Sequence, residues 1–370
     1  MNRRKFLHCL GKGILLSPLA GVFPTVVFGE TAFDLGLQGQ DLIQKGEYGK
    51  AVEVLTRAVA LDPSSDWSYG LLGRAYHGLG RNAEAVEAFR QALRINPEDT
   101  YSRWMIDMMT QKPLPRLPKK EKPLSPLEIR AREEEKKVLG RLESQEGLAF
   151  RVNRVVIDAG HGGFDSGAVG LSGLKEKDVT LDLANRLHRR LESAGRVKSF
   201  LTRTADYYIP LSDRTAIANQ YQADLFVSLH INANENRKAH GSETYFCAEK
   251  ASNAEAARLA EFENSVLKYD EEFKKEEGFF SIEELLFYFE QRMNWKESGR
   301  FAETFQAKFK EDLPFRSRGV NSANFFVLRR ARMPAILLET GFISNPDDED
   351  KLKKPAFLDK IADAVFRGIS

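Results

Sequence analysis

Three short apolar runs, each delivering an imidazole or a carboxylate at its end, constrain the fold more than any other feature of this chain. Val155-Val156-Ile157 leads through Asp158-Ala159-Gly160 to His161, Leu225 to Leu229 leads to His230, and Ala335 to Leu338 leads to Glu339. Runs of this length and composition read as buried strands. Open α/β sheets gather their sites at the carboxyl ends of such strands. A fourth group, Glu176, follows Gly173-Leu174-Lys175 where an amphipathic helix opens. From residue 151 onward strand-like and helix-like segments alternate: 153–158, 175–194, 197–203, 211–222, 224–231, 242–247, 252–268, 325–329, 335–339 and 357–368. This alternation predicts an α/β domain, an open, mostly parallel or mixed sheet with helices on both faces.

A lone histidine after a strand is most often a hydrogen-bonding turn residue; two of them with two matching carboxylates reverse that reading in favour of a metal. The blocks D-A-G-H-G-G-x-D-x-G-A at 158–168, L-K-E-K at 174–177, S-L-H-I-N-A at 228–233 and L-E-T-G-F-I-S-N-P at 338–346 stand in one order. In these blocks residues 151–370 resemble the zinc-dependent N-acetylmuramoyl-L-alanine amidases of cell-wall hydrolysis, the type-3 amidase family. The resemblance implies one Zn2+ held by His161, Glu176 and His230, with Glu339 as catalytic base and acid. It implies peptidoglycan as substrate, cut between the lactyl group of N-acetylmuramic acid and L-alanine, in wall remodelling or daughter-cell separation. The alternatives are an adaptor that binds peptidoglycan without cutting it, and a zinc peptidase or deacetylase acting on another wall substrate.

Around these residues, Asp158 reads as a group that fixes the loop or supports an imidazole, and Asp165 as a tempting further ligand. Asn232 and Arg318 are candidates for the groove wall. The glycines at 160, 162, 163 and 167 lack the order of a phosphate loop and read as tight turns beside the metal. His188, in a basic helical stretch, is expected to face solvent, and His240, in a polar loop after the second ligand strand, is only a minor candidate for approaching substrate. The resemblance implies that members acting in cell separation commonly carry an insertion here, from which in some a helix covers the metal until a partner protein pulls it away. Here the charged insertion at 254–316 contains an apolar stretch, Phe279 to Phe289, with Glu283 and Glu284 near its start. Those two acids are the expected autoinhibitory groups.

The first 29 residues read as a cleaved twin-arginine export signal, with Arg3-Arg4-Lys5-Phe6-Leu7 ahead of an apolar stretch broken by Pro18 and Pro24. The expected location is therefore the periplasm or envelope of a bacterium. Cys9 lies inside that signal, so the mature chain keeps only Cys247, expected as a buried structural thiol.

Residues 32–110 carry a repeat of period 34, visible as Lys50-Ala51-Val52-Glu53 over Glu84-Ala85-Val86-Glu87, with Gly46 and Gly80, Ala58 and Ala92, and Pro63 and Pro97 at the same offset. It resembles the tetratricopeptide repeat, two antiparallel helices per unit. Two units need a closing helix, expected at Thr100 to Thr110. The repeat implies a protein partner, for which an activator is the candidate in the resemblance's terms. A formal charge of +2 argues against nucleic acid as a partner. Five prolines mixed with lysines at 111–126, followed by a charged helical stretch to 150, are expected to form a linker.

Overall fold

The computed structural model describes residues 31–110, 151–269, 282–314 and 316–370, with the backbone alone for 282–290. The predicted signal and the linker at 111–150 lie outside the described residues. Among the described residues no helix is long and apolar enough to cross a membrane.

The repeat folds as two helical hairpins, α1 (Ala32–Gln44) with α2 (Tyr48–Leu61) and α3 (Asp66–Gly78) with α4 (Asn82–Ile95), closed by α5 (Thr100–Thr110). Close helix approach depends on Gly73, where a Cβ would stand 2.8 Å from the Phe89 ring. The expected closing helix is α5, which buries Tyr101, Trp104 and Met105. Gln38, irregular for the repeat, sits on the exposed face of α1.

The catalytic half follows as β1 (Arg154–Ala159), α6 (Glu176–Ala194), β2 (Lys198–Leu201), α7 (Leu211–Gln220), β3 (Leu225–Asn232), β4 (Ser242–Cys247) and α8 (Ala254–Asn264). After a short 3-10 turn come α9 (Ile282–Asp312), β5 (Ser317–Ala323), α10 (Phe326–Arg329), β6 (Ala335–Phe342), α11 (Pro346–Leu352) and α12 (Pro355–Ile369). The strands form one sheet in the order β2-β1-β3-β6-β4-β5. The first four are parallel, and β4 runs antiparallel to β6 with β5 parallel to β4. The sheet is thus mixed, parallel at its core.

Alternate residues of each strand serve opposite faces. Val155, Ile157, Val227, Leu229, Ile336 and Leu338 pack with α6, α9 and α12. On the other face Val156, Phe226 and Leu337 share a cluster with residues of α7, α8 and α10, and with Phe89, Tyr101 and Trp104 of the helical repeat. Burying each large apolar side chain in such layers contributes about 1.5–3 kcal/mol. The repeat therefore supplies part of the cover of the catalytic sheet. Cys247 fulfils the structural reading: it is fully buried, its thiol lies 3.8 Å from the Phe325 carbonyl, and burial pushes it up to about 12.

Candidate metal centre

Three of the four predicted groups converge at one end of the parallel strands. His161 follows β1 in a tight turn, with φ 63° at His161 itself and 124° and 61° at Gly162 and Gly163. A left-handed backbone at a non-glycine residue costs on the order of 1–3 kcal/mol and persists only where its surroundings enforce it. Glu176 is the first residue of α6, where a carboxylate is favoured by the helix dipole. Its oxygens accept from the Ala168 amide at 2.8 Å and the Ile231 amide at 2.8 Å. His230 ends the apolar run of β3, and the strand register shifts just beyond it, between His230 and Asn232. Such an irregularity re-aims a side chain near a site.

His161 Nε2 lies 3.0 Å from Glu176 Oε1, and His230 Nδ1 lies 3.2 Å from the same oxygen. A fourth donor joins them. Glu263 of α8 brings Oε2 to 3.5 Å from His161 Nε2 and 3.3 Å from His230 Nδ1. One ligand atom from each of the four residues falls within 4.8 Å of all the others, and all four side chains are buried. Burial works against charge on His161, yet the Glu176 and Glu263 carboxylates and the Asp165 hydrogen bond raise it well above the ordinary imidazole range. Burial also lifts Glu176, but the neighbouring imidazoles outweigh it and hold this carboxyl far below its usual range. Two imidazoles and two carboxylates, all buried and within 4.8 Å of one another, form a group that could hold a metal ion, and the nitrogen and oxygen donor set is one that suits zinc.

Glu339 sits on β6 directly beside His230 of β3 in the strand register, and opposite Glu243 of β4. It is fully buried, and neither carboxylate oxygen has a hydrogen-bond partner among the described residues. Burial, with the charges of Glu176, Glu263 and Glu243, pushes its carboxyl well above the usual range. An unpartnered buried carboxyl with raised proton affinity next to a metal pocket has the attributes of a general base and acid.

The supporting groups differ from the sequence reading. The carboxylate that orients an imidazole is Asp165, whose Oδ2 lies 2.9 Å from His161 Nδ1. Asp158 accepts from Thr202 at 2.7 Å, Ser228 at 2.7 Å and Arg214 at 3.1 Å, and through Arg214 it fixes the loop. Asn232 and Arg318 meet at Glu243, the first through Nδ2 at 3.0 Å and the second through Nε at 2.7 Å. Arg318 also holds Glu255 at 3.0 Å. His188 is half-buried against Ser199 Oγ at 2.8 Å, where solvent had been expected. His240 is exposed in the loop between β3 and β4. The side chains of Glu283 and Glu284 lie outside the described residues. Glu263, from the helix at the start of the same insertion, is the acid that faces the histidines. Its signal was legible: Ala256, Leu259, Ala260 and Glu263 form one buried i, i+3, i+4, i+7 stripe, with a carboxylate at an apolar position.

Burial raises the Asp158 carboxyl, but the Arg214 charge and the Thr202 and Ser228 hydroxyls outweigh it and leave it below the ordinary value. The unfolded chain then takes up this proton more readily than the folded one. The contribution to stability is complete above the unfolded carboxylate range near pH 4 and disappears as pH falls through the folded value. Asp158→Asn leaves a buried guanidinium uncompensated and should cost about 3–5 kcal/mol at neutral pH. Urea denaturation at pH 7 checks this, and a loss under about 1 kcal/mol would mean that Arg214 is held by carbonyls alone.

Comparison with known proteins places the sequence in a family. Residues 155–370 match the family model described as N-acetylmuramoyl-L-alanine amidase, and residues 37–100 match a tetratricopeptide repeat model. N-acetylmuramoyl-L-alanine amidase AmiA of Escherichia coli (strain K12) is 38% identical over 218 residues, 58% of this chain and 74% of that protein. AmiC of Escherichia coli (strain CFT073) is 36% identical over 228 residues, and the match spans 61% of this chain and about half, 54%, of that relative. Among solved structures, an N-acetylmuramoyl-L-alanine amidase from Clostridium difficile 630 aligns with 28% identity and a TM-score of 0.45, covering 60% of this chain and 96% of that one. The match to the amidase model takes in more than half of the residues, including all of those gathered at the metal pocket. This chain belongs to the N-acetylmuramoyl-L-alanine amidase family and carries tetratricopeptide repeats ahead of its amidase domain.

Proposed function

We propose that this protein is a zinc amidase that hydrolyses the bond between the lactyl group of N-acetylmuramic acid and L-alanine in peptidoglycan. The observation that carries the reading is the buried, unpartnered Glu339 carboxyl beside the His161, Glu176 and His230 cluster in a chain of the amidase family. Those three residues would hold the metal. Zinc in such a site supplies a Lewis acid for the scissile carbonyl and makes a water acidic enough to ionise near neutral pH. Glu339 takes a proton from the attacking water, whose oxygen bonds to the lactyl carbonyl carbon. As the C–N bond breaks, Glu339 returns that proton to the alanine nitrogen, which is a poor leaving group without it. Asp165 keeps the His161 ring oriented through Nδ1, and the two backbone amides on Glu176 keep its carboxylate ionised and aimed.

Glu263 gives this site an off state. With Glu263 as a fourth donor beside His161, Glu176 and His230, the pocket would leave a bound zinc no open position for water, the donor count of a structural site. The described arrangement is then the closed one, and activity requires α8 to withdraw. A protein partner seated on the repeat is the candidate for that act. The repeat and α7 enclose a groove of about 860 Å3, lined among others by Tyr48, Arg74, Trp104 and Tyr208. The twin-arginine pattern supports action in the bacterial envelope, in wall remodelling or cell separation.

If the closed form holds about nine-tenths of the population, Glu263→Ala should raise the rate of release from dye-labelled peptidoglycan about tenfold. A variant that hydrolyses no faster than the parent would show that Glu263 is a permanent ligand. For the activity itself, residues 30–370 loaded with zinc are incubated with peptidoglycan and the soluble products identified by mass. Intact stem peptides with a free alanine amine support the amidase; peptide fragments or acetate would overturn it.

A further inference from the structure

The turn that carries His161 is held from outside the metal pocket. Three successive carbonyls, those of Ala159, Gly160 and His161, accept hydrogen bonds from two fully buried guanidiniums. Arg203 donates to Ala159 at 2.9 Å and to Gly160 at 2.9 Å. Arg214 donates to Ala159 at 3.1 Å and to His161 at 2.9 Å. This grip accounts for the left-handed backbone at His161, because it fixes the peptide planes on either side of the residue. Arg203 and Arg214 bracket one stretch of chain, and residues 202–210 within it form no helix or strand.

The helical repeat packs that stretch. Tyr207 and Ile209 are buried in one cluster with Phe89, Tyr101 and Trp104. Arg74 of α3 donates through Nη1 to the Tyr208 carbonyl at 2.8 Å, and Asn96 donates to Thr204 Oγ1 at 3.2 Å. The Gln40 amide lies against Gly163, where a side chain would also meet the Tyr208 nitrogen at 2.8 Å. Gly163 in turn donates to Asp206 at 2.7 Å. Contacts thus run without a break from α1, α3 and α4 through residues 203–210 to the backbone of His161.

We infer that the tetratricopeptide repeat braces the metal-binding turn, with Arg74 and Asn96 as positioning residues for His161. This rests on the reading of His161 as a zinc ligand. The repeat match, at 37–100, lies outside the amidase match at 155–370, so the brace acts on the metal-binding turn from beyond the matched amidase domain. A loop without regular structure is mobile unless it is packed. Fixing 203–210 fixes both guanidiniums, and a ligand held at its working geometry binds metal more tightly.

The test uses the full chain with Arg74→Ala and Asn96→Ala, singly and together. Zinc affinity is measured by competition with a chromophoric chelator, and ligand geometry by the visible absorption of the cobalt-substituted protein. The double variant should bind zinc about tenfold more weakly, with an altered cobalt band and an unchanged unfolding midpoint of the metal-free protein. Arg74→Lys, which keeps one donor for the Tyr208 carbonyl, should recover most of the affinity. A folded double variant with parental zinc affinity and cobalt spectrum overturns the brace. If the double variant does not fold, Arg74→Ala alone decides by the same two readings. The outcome separates from that of the amidase reading: a parent that binds zinc but releases no stem peptide sinks the activity and leaves the brace to be judged on affinity. A parent that binds no zinc overturns both.

Discussion

Glu339→Gln should lower peptidoglycan hydrolysis by about 10²–10⁴-fold while leaving zinc content at one ion per chain. The substitution keeps the size and burial of the side chain and removes only its ability to carry a proton. Among the described residues Glu243 is engaged by Asn232, Tyr245 and Arg318 and Glu176 by two backbone amides, while Glu263 leaves the pocket with α8 in the proposed active form. Glu339 also contributes an unfavourable like-charge interaction with Glu176 and Glu263 in the folded state. Removing that charge should leave the variant at least as stable as the parent. The measurement is kcat on soluble muropeptide together with metal analysis and a thermal midpoint. A Gln variant within tenfold of the parent would remove Glu339 from the chemistry.

The second large effect concerns the metal itself. His230→Ala deletes one of three proposed ligands, and its ring also packs edge-on against His161 with centroids 4.8 Å apart. Zinc affinity should fall by more than about 10²-fold, beyond what loss of an outer support causes, and hydrolysis should vanish at sub-micromolar metal. Stripping the parent with a chelator should give the same loss, reversed by stoichiometric zinc. The metal-free parent should also be less stable, because an ion that binds only the folded chain stabilises it by mass action. A chelator-treated enzyme that remains fully active would refute the zinc reading.

Much of this site is legible in the sequence because its residues end strong local signals. His161, His230 and Glu339 terminate apolar runs, and Glu176 starts a helix capped at the far end by Gly195 with φ 64°. What escapes sequence reading is what depends on the third dimension. Asp158 and Asp165 are equally plausible partners for an imidazole in the same glycine-rich turn, and only the backbone path selects Asp165. Glu263 is visible as an acid in an apolar stripe, but it competes with the more apolar Phe279 to Phe289 stretch for the same role. β5, Ser-Arg-Gly-Val-Asn-Ser-Ala, has no apolar run because it is a half-exposed edge strand. The docking of the repeat on the sheet is illegible for another reason: Tyr101 and Trp104 read as the core of a closing helix, and they serve that core and the catalytic half at once.

The place of β6 in the sheet bears on when the protein can become dangerous to the cell that makes it. This strand comes last in sequence of the six described, yet it lies in the interior, between β3 and β4. A nascent chain that has emerged only as far as β5 holds both histidines and Glu176 but lacks Glu339, the proposed proton carrier. It also lacks the rung on which β4 and β5 hang. Insertion of an interior strand is a long-range, late event in folding. On the proposed mechanism chemical competence and completion of the sheet therefore arrive in the same step, and a product truncated before β6 would leave the wall uncut whatever metal it had gathered.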